Sequence, residues 1–309
     1  MSVSIVMAAY NAENTIAETL ESLIAQTYPD KEIIVTDDGS QDSTGRILDE
    51  FASRYPDLIK VIHQANQGQS IARNAAIAEA KGDFIAFMDS DDLWAPNKIE
   101  RQVEFLSRNP EFGMVYTEGM TIDAEGKKLE PFDCSVEFTG NCFETLYTKN
   151  NIIGTSVMVR RPVLEDVGTF VPELRACENW ELWTRISHKY AITFLDEELA
   201  YYRRHGSNMT SNTAWMRENR LKAIHHNHVL YRDTVPNEAR MTRNAYYIAH
   251  RGFASEYLGA LDLRSARAEI LSAIRYNPLD PRMYFWLIQS LMGRKALVAL
   301  RRLKSRLKP

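Results

Sequence analysis

The stretch Phe84-Ile85-Ala86-Phe87-Met88-Asp89-Ser90-Asp91-Asp92 joins an apolar run of five residues to three carboxylates within four positions. A short, wholly apolar run is the pattern of a strand buried on both faces. Carboxylates this close repel one another unless they are protonated or bridged by a cation. Hard oxygen ligands of this kind suit Mg²⁺ or Mn²⁺, which commonly share their shell with substrate phosphates. The expected substrate therefore carries a diphosphate. Asp-rich turns after strands also cap helices, so the triplet alone leaves both readings open.

Upstream, strand-like runs at Val3–Ala8, Glu32–Thr36 and Ile59–His63 alternate with helical patterns at Thr15–Gln26, Ser43–Arg54 and Ser70–Ala80. With the run at 84–88 this is the signature of βαβ units and predicts a parallel sheet flanked by helices, an α/β fold. Ligands of such sheets bind beyond the carboxyl ends of the strands. Polar residues stand at each of three ends: Tyr10-Asn11, Asp37-Asp38-Gly39-Ser40 and Asp89 to Asp92. Three loops should then face one crevice.

Downstream, a helix is expected from near Pro96, a hairpin at Met114–Leu129 turning at Ala124-Glu125-Gly126, a strand at Ser156–Arg160 and a helix from Glu178. After Tyr201-Tyr202-Arg203-Arg204-His205 the pattern turns helical, at Trp215–Tyr231, Glu238–Leu258, Arg264–Tyr276 and Pro281–Met292. The domains predicted are 1–210 and a helical region, 211–309. Residues 246–291 resemble a single tetratricopeptide repeat, and since stable arrays need about three, a packed helical appendage is expected. Residues 293–309 carry seven lysines and arginines and no acid, interleaved with Leu297, Val298, Leu300, Leu303 and Leu307. Such a basic amphipathic tail suits peripheral contact with anionic membrane.

Bulk properties bound the function. With 309 residues, 45% of them apolar and 25% charged, a large globular core is expected. The net charge of −4 argues against nucleic acid as a partner. Cys134, Cys142 and Cys177 follow neither zinc nor disulfide spacing, which predicts inert thiols in a reducing compartment. No leader or spanning segment is apparent, so the expected location is cytoplasmic, with the tail as a peripheral anchor. Homo-oligomerisation through the helical region stays open.

Taken in order, Val3 to Asn11, Asp37-Asp38-Gly39-Ser40-Gln41-Asp42-Ser43-Thr44, Asn66-Gln67-Gly68 through Ala72-Arg73-Asn74, and Asp89-Ser90-Asp91-Asp92 resemble the inverting family 2 glycosyltransferases of GT-A fold. The resemblance runs from residue 3 to about 210. It implies a Rossmann-like nucleotide-diphosphosugar transferase domain and a sugar nucleotide donor held by Ala8, Tyr10, Asn11, Asp37, Asp38, Gly68, Arg73, Asp89 and Ser90. Tyr10 offers a flat face for a pyrimidine, and Asp38 an acceptor for a ring N–H, which uracil and thymine have and cytosine lacks at N3. A UDP- or dTDP-sugar is therefore expected. For Asp37, capping of a turn is as good a reading as contact with ribose or base. Arg73 could reach the diphosphate or ribose. By the same resemblance Asp91 is the principal ligand of Mn²⁺ or Mg²⁺, Asp89 meets ribose or metal, Asp92 helps through water or as a cap, and His205 meets the metal or diphosphate. Arg203 and Arg204 add phosphate charge or are solvated.

Inversion requires one direct displacement, with a base taking the proton of the acceptor hydroxyl. Members of the family usually carry that base as the Asp of a Glu-Asp pair opening a helix. The corresponding stretch here is Cys177-Glu178-Asn179-Trp180-Glu181-Leu182-Trp183, which puts an amide at the base position. Three explanations stay open: an introduced Asp-to-Asn change, use of Glu178 or Glu181 instead, or a nucleotide-sugar or glycan binding protein without catalysis. Trp180 and Trp183 either stack on an acceptor sugar or pack in the core. The expected acceptor is a glycan or polyprenyl-linked glycan of a surface polysaccharide such as O-antigen or capsule. A nucleotidyltransferase or a dinucleotide-binding dehydrogenase would need a glycine-rich loop after the first strand, which Ala8 to Glu13 lacks.

Overall fold

The computed structural model describes residues 1–132, 138–206 and 212–294. In chain order its first half reads β1 (Val3–Ala9), α1 (Ile16–Ile24), β2 (Lys31–Asp37), α2 (Thr44–Arg54), β3 (Ile59–His63), α3 (Gln69–Glu79), β4 (Phe84–Asp89), β5 (Leu93–Trp94) and α4 (Lys98–Arg108). There follow β6 (Phe112–Ile122), β7 (Lys128–Pro131), α5 (Phe143–Thr148), a 3₁₀ turn (Gly154–Ser156), β8 (Met158–Arg160), α6 (Arg161–Val167), α7 (Glu178–Lys189) and β9 (Ala191–Arg203). Then come α8 (Thr213–Tyr231), α9 (Glu238–Gly259), α10 (Leu263–Tyr276) and α11 (Pro281–Leu291). Two compact units result, one of Met1–Leu146 with Asn150–Asn208, the other of Tyr147–Lys149 with Met209–Pro309.

In the first unit the sheet runs in the order β3-β2-β1-β4-β8-β6-β9-β5, with β7 beside β6. The strands β3, β2, β1 and β4 are parallel, β8 is antiparallel to both β4 and β6, and β9 runs parallel to β6. Val3, Ile5, Val6 and Met7 of β1 are fully buried, as expected of a strand covered on both faces. Burying one such side chain contributes roughly 1.5–3 kcal/mol, and the facing residues Leu20, Leu23, Val35 and Met88 share the same core. The chain leaves β1 toward β2 on one side and reaches β4 on the other. That reversal of strand order opens a crevice at the carboxyl ends of β1 and β4.

Helices of the second unit are set by their caps. The side chains of Asn212, Asp262 and Asp280 accept from the backbone N–H of Trp215, Ser265 and Arg282 at the starts of α8, α10 and α11. Tyr247, Ala254, Ala266, Ile270 and Met283 form a separate core among α9, α10 and α11. No helix among the described residues is long and apolar enough to cross a membrane.

Candidate active site

Register places the polar strand ends side by side. Ala9 pairs with Asp37, Ala8 with Asp89, and Asp37 with His63. Each loop leaving these strands is tied to its neighbour. Asn11, in the left-handed region at φ 48°, accepts from the Gln41 N–H at 2.8 Å, and its own N–H donates to Ser40 Oγ at 3.0 Å. The Ala12 N–H donates to Thr44 Oγ1 at 2.7 Å. Tyr10 stands half exposed beside them.

Asp37 accepts from the Ser40 N–H at 3.0 Å, the capping role, and its other oxygen lies 3.1 Å from His63 Nδ1. His63 also meets Asp49 at 2.9 Å, and these two carboxylates hold its imidazole above the usual histidine range. Asp38 is buried and accepts from the backbone N–H of Gln67 at 2.9 Å and of Gly68 at 2.8 Å, and from Gln64 Nε2 at 2.7 Å. Of about four acceptor positions on a carboxylate, one remains. Gly68, at φ 95°, opens α3 in a conformation that a side chain would strain.

The Asp-rich turn is anchored at the start of α1, where the hydroxyls of Thr15, just before the helix, and of Thr19 within it donate to the Ser90 carbonyl at 3.0 and 3.2 Å. Beyond the turn, β5 pairs with β9 through Leu93 with Tyr201 and Trp94 with Ala200. That pairing returns the chain to the turn just where β9 ends, and His205 Nε2 meets Asp91 Oδ2 at 2.9 Å. Both side chains keep about a quarter of their surface exposed. Burial and the neighbouring Asp89 push the Asp91 carboxyl above the usual range, with His205 opposing them.

Asp92 points the other way. It is fully buried, accepts from the Arg203 N–H at 2.9 Å, and its Oδ2 has no hydrogen-bond partner. Arg203 is buried too, donating to the carbonyls of Asp91 at 2.8 Å and Ala124 at 2.7 Å and pairing with Glu18 at 2.6 Å. It braces the turn from behind, whereas Arg204 lies at the surface against Glu130.

Arg73 is buried and joins two parts of the site, pairing with Asp89 on one side and with Glu178 at 2.6 Å on the other. Glu178 opens α7 behind Cys177, which is in the left-handed region at φ 60°. Asn179 follows, with a buried Oδ1 that has no hydrogen-bond partner. Its amide nitrogen would lie 2.6 Å from a Cβ placed on Gly154. The turn bearing Gly154 is fixed by Trp94, whose Nε1 donates to the Thr155 carbonyl at 2.8 Å. Glu181 is fully buried against Arg185 at 2.6 Å. Neither glutamate flanking Asn179 stands open to solvent. Trp180 and Trp183 both belong to the core: Trp180 donates to the Leu146 carbonyl, and Trp183 meets Phe87 edge-on at 5.2 Å.

The structure thus gathers Asp89, Asp91, His205, Arg73 and Glu178 around one strand end and brings Ala8, Tyr10, Asn11, Asp37, Asp38 and Gly68 together at the neighbouring strand ends and loops. The bracing role of Arg203, the Asp89–Arg73–Glu178 bridge and the contact of Gly154 with Asn179 escape sequence reasoning. Only the basic run at 202–205 hinted at the first. Among the described residues no group of three or more His, Cys, Asp or Glu side chains forms a metal cage. One carboxylate and one imidazole at hydrogen-bond distance suit a divalent cation that takes its remaining ligands from a bound diphosphate.

The family model for glycosyl transferase family 2 matches residues 4–168. An uncharacterised glycosyltransferase of Nostoc sp. is 35% identical over 226 residues, covering 67% of this chain and 66% of that protein. The chain spans smaller shares of other curated relatives, 29% and 34% of two from Rickettsia. Among solved structures, S. aureus TarS 1-349 in complex with UDP-GlcNAc has the same fold at a TM-score of 0.68 and 19% identity, covering 98% of this chain and 92% of that one. The mannosyltransferase PcManGT of Pyrobaculum calidifontis, in complex with GDP-Man and Mn²⁺, gives 0.60 and 18%, over 94% and 84%. Strand order, converging loops and family match lead to one conclusion: the chain belongs to glycosyl transferase family 2.

Proposed function

We propose that the chain transfers a sugar from a UDP- or dTDP-sugar, with inversion, to a glycan or polyprenyl-linked glycan in the assembly of a cell-surface polysaccharide. The observation that carries this is the meeting of Asp91 and His205 beside Asp89, where parallel strands end. Asp91 and His205 hold Mn²⁺ or Mg²⁺, and such an ion supplies charge neutralisation to the departing nucleoside diphosphate. Tyr10 stacks on the base, and the remaining acceptor position of Asp38 takes its ring N–H. Asp89, held by Arg73, faces the ribose. TarS, of the same fold, binds UDP-GlcNAc, which favours a uridine donor, while PcManGT binds GDP-Man with Mn²⁺.

Thermal shift with UDP, dTDP and GDP, each with and without MnCl₂, tests this. Ligand at a hundredfold excess over its Kd stabilises the folded state by about 2.7 kcal/mol. UDP or dTDP should raise the melting temperature, more so with manganese. No shift with either, or one indifferent to the cation, overturns the donor assignment.

Asn179 favours a second reading, a nucleotide-sugar binding protein without turnover. Glu178 and Glu181 are both committed to arginines, so no flanking carboxylate stands ready as the base. Release of UDP from a UDP-sugar in the presence of Mn²⁺ and acceptor glycan separates the two readings.

A further inference from the structure

His63 ends β3 beside Asp37 at the end of β2, and its ring is held from two elements. Nδ1 lies 3.1 Å from Asp37 Oδ2, and Nε2 lies 2.9 Å from Asp49 Oδ1 on α2. An ionised carboxylate only accepts, so each contact requires an N–H on the ring, and an imidazole with two N–H groups is the cation. Helix α2 comes this close because residue 45 is glycine: a Cβ there would meet Asp37 Oδ2 at 2.9 Å and the His63 ring at 3.7 Å. Among the described residues, Asp37 of β2 and Asp49 of α2 are the charged groups that act on the ring.

The chain of contacts continues inward. The other oxygen of Asp37 takes the Ser40 N–H, Ser40 Oγ takes the Asn11 N–H, and Asn11 Oδ1 takes the Gln41 N–H. We propose that His63 is a positioning residue for the donor: strung as an imidazolium between Asp37 and Asp49, it holds the linked loops after β1 and β2 in the arrangement that the nucleotide meets. The proposal rests on the donor reading given above. A neutral imidazole has one N–H and serves one carboxylate, leaving a lone pair against the other. Asp49 is exposed and turns to water, whereas Asp37 is buried and cannot. Loss of the proton therefore releases α2 from the ring and leaves Asp37 without its counter-charge beside an anionic ligand, which it then repels.

NMR of the nucleotide-free protein tests the positioning. The amide signals of Asn11, Ser40 and Gln41 should move with the same midpoint as the His63 ring, at lower pH in Asp49→Asn, and not at all in His63→Gln. The melting temperature carries a sign of its own. Because the ring is held above the usual histidine value, its stabilisation is full below about pH 6.5 and is lost as pH rises through the raised value. Parent and His63→Gln should therefore differ at pH 6 and converge at pH 8.5. Calorimetry with UDP and MnCl₂ then reads the consequence for the donor, comparing parent and variants at each pH so that titration of the cation site cancels. The parent should bind about fivefold more tightly than His63→Gln at pH 6, the low end of coupling between distinct groups, and lose that advantage at pH 8.5. His63→Arg, a cation at every pH, should keep the tight value throughout. Amides that ignore the ring's titration, or a His63→Gln protein that binds UDP as tightly as the parent at pH 6, would overturn the proposal. Amides that follow the ring in a parent that binds no UDP at any pH would overturn the donor reading instead and leave His63 as the brace of these loops.

Discussion

Asp91 Oδ2 and His205 Nε2 lie 2.9 Å apart although 114 residues separate them in the chain. The short pairing of β5 with β9 brings them together. His205→Ala should therefore weaken manganese-dependent UDP binding at least tenfold, measured by calorimetry, while UDP binding without metal changes little. Because burial and Asp89 raise the Asp91 carboxyl, protons compete with the cation at a pH above the ordinary Asp value of about 4. The sign follows: cation affinity is full at neutral pH and falls as the solution is acidified through that raised value.

Asn179→Asp should raise transfer by about 10²–10⁴-fold, the range of general-base contributions, with donor affinity nearly unchanged. A group that acts in the transition state moves kcat rather than ground-state binding. Unchanged turnover would remove position 179 from the chemistry.

Gly154→Ala tests the packing beside that position. The added Cβ would meet the Asn179 amide nitrogen at 2.6 Å, too close for either group to stay. A cost of about 1–3 kcal/mol in urea unfolding is expected, as for other overpacked sites. In an Asn179→Asp background the same change should depress transfer by displacing the carboxylate.

Arg73→Met removes the guanidinium that Asp89 and Glu178 share. Glu178 is then left as a buried charge without its arginine, a loss of roughly 3–5 kcal/mol. Adding Glu178→Gln should restore part of that stability. A double-mutant cycle by chemical denaturation reads the coupling.

Lys98 sits fully buried over the Trp94 ring at 3.8 Å, donating to Gln102 at 2.8 Å. Burial holds its ammonium well below the usual lysine range. The unfolded chain thus binds this proton more tightly than the folded one, so stability rises with pH from the lowered folded value up to about 10.4. Lys98→Met should flatten that rise, a difference visible in melting temperatures taken from pH 6 to 10.

The parallel half was legible because strands buried on both faces are unbroken apolar runs, and β1, β2, β3 and β4 lie within a residue or two of their expected bounds. β9 was not. Its middle carries Asp196, Glu197 and Glu198, and its pairing with β6 slips in register around Glu118. The carboxylates of the crevice could be listed from the sequence because strand ends announce them. The pairing of Arg73 with Glu178, 105 residues away, depends on where α3 and α7 come to lie, which local pattern does not encode. The same holds for Arg203, whose buried role differs from that of its surface neighbour Arg204 although sequence treats them alike.

Asp38 clamps the amides of Gln67 and Gly68, and Asn11 clamps that of Gln41. The entropy of ordering this wall is thereby lost when the chain folds and not again at each encounter with a ligand. A rigid cast of this kind favours stiff, flat inhibitors built to its contour over flexible ones that must be frozen in place.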